Sequence, residues 1–161
     1  MKREGKPRSS GTYLWIAFGL LAVAAFVGIM ISAASRPKAE GAVVGDHWHA
    51  QFALVVCEKA LPPFPVSSGG VHTHGDGLIH IHPANAAEGG RNANLGRFLA
   101  SVGVRLTPTS LQLPDGTVHR NGDTCPDGKA GTMHLLINGK DNDAWNDYVL
   151  RDRDVVVIEF R

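Results

Sequence analysis

Val71-His72-Thr73-His74-Gly75-Asp76-Gly77-Leu78-Ile79-His80-Ile81-His82 is the stretch on which the reading of this chain turns. Two alternating runs flank Gly-Asp-Gly, and glycine supplies the positive φ angles that tight hairpin loops require. Directly paired residues share a sheet face, so loop length fixes which side chains lie together. A two-residue Asp76-Gly77 loop pairs His74 with Ile79 and scatters the histidines and the apolar residues over both faces. A three-residue Gly75-Asp76-Gly77 loop pairs His72 with His80, and a five-residue loop pairs His72 with His82. Either odd loop puts Val71, Thr73, Ile79 and Ile81 on one face and His72, His74, His80 and His82 on the other. Only the odd loops give a coherent buried face, so a hairpin of that parity is expected.

Upstream, Trp48, Ala50, Phe52, Leu54 and Val56 are apolar while His47, His49 and Gln51 take the intervening positions, the period of a strand with one buried face. Leu61 to Gly70, rich in proline, serine and glycine, cannot extend it and reads as a long loop. If the Trp48 strand joins the hairpin's sheet, the polar face gains a third His-x-His unit. Directly opposed Cβ atoms stand about 5 Å apart, close enough for imidazoles on one face to converge on an ion. The expected metal ligands are therefore His47, His49, His72, His74, His80 and His82. A single unit would be no more than a polar strand face; three together are a specific pattern. Neutral imidazole suits zinc, copper(II) and nickel, whereas copper(I) favours thioether or thiolate, and Met133 is the only methionine beyond residue 40. Asp76 and Asp46 can supply an oxygen or orient a histidine, although turn and strand-entry roles suit both. His119, in a polar loop, is expected to be exposed, and His134 alternates with Met133 and Leu135; both stand outside the expected site.

The eight histidines all lie beyond residue 40, and so does a change of charge. Residues 1–40 carry six Lys/Arg against Glu4 and Glu40, and the remainder carries 10 basic against 13 acidic side chains, which removes most of the support for nucleic-acid binding. Tyr13 to Ala34 is 22 residues without a charge, roughly 33 Å of helix and enough to cross a bilayer. Tyr13 and Trp15 sit at its start, behind the basic tail Lys2, Arg3, Lys6 and Arg8. The expected organisation is a cytoplasmic tail at 1–12, a single-pass anchor in the lipid bilayer at 13–34, a linker at 35–45 and an extracytoplasmic histidine-rich domain at 46–161. A cleaved signal peptide ending near Ser32-Ala33-Ala34 is the competing reading; its apolar region would normally run only about 7–15 residues, and both readings export the domain. In an oxidising compartment Cys57 and Cys125 are expected to form a disulfide, worth about 4 kcal/mol by loop entropy, although thiolate ligation of a metal is the alternative.

Downstream, Leu95, Phe98, Leu99 and Val102 make the stripe of a short amphipathic helix that Asn92 or Asn94 can cap and Gly103 can end. Leu106–Leu113 and Met133–Ile137 read as strands, Gly116–Gly131 as a loop, Asn138-Gly139 as a turn, and Val155–Phe160 as a central buried strand. Asp141, Asp143 and Asp147 lack the glycine and terminal glutamate of a calcium loop and read as a solvated segment. The order gives an α+β fold, a small mixed sheet with one main helix.

The ending Leu150-Arg151-Asp152-Arg153-Asp154-Val155-Val156-Val157-Ile158 resembles the last turn and strand of β-grasp (ubiquitin-like) domains, small sulfur carriers included. This likeness spans about the last seventy residues and implies a β-grasp-like sheet. It does not extend to carrier function, since the carriers end in Gly-Gly and this chain ends Glu159-Phe160-Arg161. His47-Trp48-His49-Ala50 with Gly70 to Pro83 resembles a family of exported, membrane-anchored bacterial proteins, mainly actinobacterial, over most of the exported domain, Cys57 and Cys125 included. The resemblance implies the histidine pattern and export, and supplies no activity.

Three functions compete on these residues. The first is metal capture, buffering or delivery to a membrane partner, with zinc or copper(II) as the ion. The second is a non-metal interaction module, such as an accessory subunit of a membrane complex, whose crowded imidazoles respond to pH. A metalloenzyme is the least supported: Glu58 and Glu88 are possible bases, but no nucleophile elbow, phosphate loop or paired-carboxylate pattern accompanies them.

Overall fold

The structure, a computed structural model, describes residues 40–161. The expected basic tail and bilayer anchor lie outside the described residues, and within these no helix is long and apolar enough to cross a membrane. Residues 40–45, the end of the expected linker, already lie against the domain: Ala42 is fully buried, its carbonyl accepts from Gly90 N at 2.7 Å, and Arg91 donates to Glu40 at 2.7 Å.

The fold is α+β. Strands β1 (Trp48–Val56), β2 (Lys59–Ala60), β3 (Val71–His72) and β4 (Leu78–Ile81) precede helix α1 (Leu95–Ser101). After it come β5 (Arg105–Thr107), β6 (Ser110–Gln112), β7 (Val118–Arg120), β8 (Met133–Ile137), β9 (Lys140–Asp141) and β10 (Val155–Phe160). The main sheet runs β3-β4-β1-β10-β8-β9, with β2 paired to the end of β1, and β5-β6-β7 form a smaller antiparallel sheet. At the centre β1 and β10 are parallel, from Gln51 opposite Val155 to Val56 opposite Phe160, and every other pairing in the main sheet is antiparallel.

The core forms where the two periodicities predict. Ala50 and Leu54 of β1, Ile79 and Ile81 of β4, and Val156, Ile158 and Phe160 of β10 point to one side of the sheet, where Leu95, Phe98 and Leu99 of α1 cover them. Asn94 caps α1 by accepting from Arg97 N at 3.0 Å, and Gly103 leaves the helix at φ +76. Asn138 and Gly139, at φ +52 and +77, make the two-residue turn between β8 and β9.

Two expectations fail in the scaffold. Leu106–Leu113 is not one strand: it folds back at Pro108-Thr109 into the β5–β6 hairpin, because proline lacks the N–H a continuous ladder needs. Gly116–Gly131 is not all loop, since Val118–Arg120 adds β7 to that hairpin and brings His119, expected exposed, to half-burial against the Phe160 ring at 5.3 Å.

Buried Asp154 fixes the entry to β10. Its carboxylate accepts from Asn138 Nδ2 at 3.0 Å, Tyr148 OH at 2.8 Å and Arg151 N at 2.9 Å, and its carbonyl accepts from Gln51 N of β1 at 2.8 Å. Burial, and then this hydrogen bond, pushes the Tyr148 phenol above its usual range and keeps it a donor. Asp154→Ala would strand three donors at once and is expected to cost about 2–4 kcal/mol, read as a shift in urea midpoint at unchanged slope. A loss below about 0.5 kcal/mol would show that the network does not hold the turn.

Candidate metal centre

The register is that of the three-residue loop, with Val71 paired to Ile81 and His72 to His80, but the ladder ends there: Thr73 and His74 leave the pairing, and Thr73 exchanges hydrogen bonds with Ser67 instead of Ile79. Gly75 and Gly77 take φ +83 and +78 on either side of Asp76, whose Oδ1 accepts from Leu78 N at 3.0 Å. Val71, Thr73, Ile79 and Ile81 are all buried on the core face. On its other edge β4 pairs with β1, placing His49 opposite His80 and Trp48 opposite Ile81. One row therefore crosses three strands as His72, His80, His49, and the next carries His82 and His47, whose ring centroids are 3.8 Å apart.

His49 is held from both sides. Besides its pairing to β4, its N–H donates to Asp152 Oδ1 at 3.1 Å and its carbonyl accepts from Arg153 N at 2.7 Å. Nothing in the sequence near His49 signals this support, which comes from 103 residues away. Asp46, by contrast, is a turn residue, accepting from Val43 N at 2.8 Å.

His47, His49, His80 and His82 bring one nitrogen each to within 4.8 Å of one another, a group that could hold a metal ion. The Nε2 atoms of His47 and His49 are 3.2 Å apart. A tetrahedral ion with metal–nitrogen bonds of about 2.0–2.1 Å needs donors about 3.3–3.4 Å apart, so this pair already spans one edge of such a site. His80 is buried, and its Nε2 lies 2.9 Å from Asp76 Oδ2. A carboxylate only accepts, so Nε2 carries a proton, and in the neutral ring Nδ1 is the nitrogen left free for an ion, the carboxylate–histidine arrangement that orients metal ligands. The same bond is the main reason the Asp76 carboxyl is held down at about 2.

His82 completes the group and supplies its most telling atom. Its Nε2 is buried with no hydrogen-bond partner among the described residues. A buried nitrogen left unpartnered is costly, and ion coordination is one way to satisfy it. Burial, then the imidazoles of His47, His72, His80 and His49, depresses the His82 pKa to about 4. The ring is thus neutral at pH 7, the form a metal binds.

His72 and His74 lie on the same face beside this group. Their Nε2 atoms are 3.1 Å apart, and the His74 ring is 4.3 Å from that of His80. Burial in the first place, with His74 and His80 adding to it, lowers the His72 pKa. His134, half-buried in β8, is held instead by Thr132 Oγ1 at 3.0 Å and by Asp141. Glu58 occupies the β1–β2 turn at the far end of β1, and Glu88 accepts from Ala84 N at 2.9 Å.

Cys57, also in the β1–β2 turn, is disulfide-bonded to Cys125 with Cα atoms 5.5 Å apart. Both sulfurs are thereby removed from the alternative of thiolate ligation. Compared with known proteins, the chain matches no family model, no curated protein and no solved structure.

Acidification should weaken the ion-free fold. His82 and His72 bind protons less readily folded than unfolded, so their contribution is full above about pH 6.5 and is lost as pH falls through the depressed folded pKa values. Thermal melts between pH 7.5 and 4.5 should show a falling Tm, with a shallower fall in His82→Gln. A flat profile for the unsubstituted chain would contradict the crowding and burial described.

Proposed function

We propose that the domain is a divalent-metal module that holds zinc or copper(II) through His47, His49, His80 and His82, for capture, buffering or delivery. The observation that carries the reading is the buried Nε2 of His82, without a hydrogen-bond partner among the described residues, within a group of four convergent imidazoles. Borderline nitrogen donors favour zinc or copper(II) over calcium or magnesium, which take oxygen. Asp76 serves His80 as the carboxylate that fixes its tautomer.

The rest of the chain suits a module presented outside the cell. The disulfide fits an oxidising compartment, and the uncharged stretch at 13–34 behind a basic tail would tether the domain to the outer face of the membrane, where a membrane protein could receive the ion. A sheet whose central strands are β1 and a parallel β10, with a hairpin on one flank and the β8–β9 hairpin on the other, supports a β-grasp-like arrangement with the histidines shared between the start of β1 and the β3–β4 hairpin.

Titration of the purified full chain in detergent with zinc is expected to give stoichiometric heat. His80→Ala with His82→Ala should lower affinity at least about a hundredfold. Free zinc at about 100 times Kd should add about 2.7 kcal/mol of stability, reversed by chelator. No heat from zinc or copper(II), together with a chelator-insensitive but acid-sensitive Tm, would replace this function with the pH-responsive interaction module.

A further inference from the structure

We propose that the histidine face holds two ions: the four-histidine position and a second, more open position at His72 and His74, with His80 between them. This extends the metal-binding reading and depends on it.

The second position has the same elementary unit as the first. The His72 and His74 Nε2 atoms are 3.1 Å apart and those of His47 and His49 are 3.2 Å apart, both near the donor spacing of a tetrahedral ion. His72 is set for ligation by its backbone. Its Nδ1 lies 2.8 Å from the Gly69 carbonyl, which only accepts, so Nδ1 bears the proton and Nε2 presents its lone pair toward His74. Loop Leu61–Gly70 thus does for His72 what Asp76 does for His80. His80 stands midway, its ring 4.7 Å from His49 and 4.3 Å from His74.

The two positions differ in depth. His74 is exposed and His72 half-buried, so two protein nitrogens and solvent complete the second site, whereas His80 and the His82 Nε2 make the first a buried one. Fewer protein ligands and repulsion between neighbouring dications both make the second ion the weaker. A borderline divalent ion, zinc or copper(II), fits both positions, and the open one is where ions exchange with solvent.

The test is ion counting on the full chain in detergent, using zinc alone, by calorimetry and native mass spectrometry. Two ions per chain are expected, a tight one and a second at least about tenfold weaker. His72→Ala with His74→Ala should remove the weak phase and leave the tight one within about threefold, while His47→Ala with His49→Ala should do the reverse. Exposed His74→Gln alone provides the same readout, at least a tenfold weakening of the second phase, should the double variant fail to fold. One ion in the unsubstituted chain, or two ions surviving in the His72/His74 variants, overturns the second position and leaves the proposed function standing. No ion at all overturns both.

Discussion

Everything on the histidine face depends on one register, the pairing of β4 with His80 opposite His72 on one side and opposite His49 on the other. Side chains on a strand alternate strictly, so a slip by one residue would turn Ile79 and Ile81 to solvent and drive imidazoles into the core. Each isoleucine is worth about 1.5–3 kcal/mol of burial, which far exceeds what any exposed imidazole contact offers in return. The core thus selects the register, and the cluster follows from it. Packing that has nothing to do with ions places the candidate ligands.

The face that results concentrates imidazoles where mutual repulsion and burial keep two of them neutral. The His82 ring, with its depressed pKa, is a base in a setting that discourages protons yet leaves a buried ring nitrogen without a partner among the described residues. A proton and a bound ion would compete for the same ring, and the fold is weighted against the proton. Asp76 and the Gly69 carbonyl refine this by deciding which nitrogen of His80 and His72 is available.

The hairpin and helix were legible because their signals are local: Gly75-Asp76-Gly77 with its flanking alternation, and Asn94 with the Leu95, Phe98, Leu99 stripe. The β5–β6–β7 sheet was not, because the sparse leucines of Leu106–Leu113 do not show that the strand folds back at Pro108-Thr109, and Val118–Arg120 is too short to show a period. At the site, parity put six histidines on one face, but it could not rank them. That ranking comes from the orphaned His82 nitrogen and from supports distant in sequence, such as Asp152 beneath His49. Such contacts are tertiary facts with no local cause.

Strand β1 carries histidines at its start and a cysteine just past its end. At about 3.3 Å per residue, His49 and Cys57 stand roughly 26 Å apart along one rigid element in the middle of the sheet. Sulfur and imidazole thus sit at opposite ends of β1 while the disulfide closes the loop that brings the hairpin histidines to it. Reduction of Cys57–Cys125 breaks a cross-link that makes no contact with a cluster nitrogen, yet it opens the closed chain segment that carries His72, His74, His80 and His82. The cross-link and the candidate ion site therefore occupy opposite ends of one strand and meet through the chain between them.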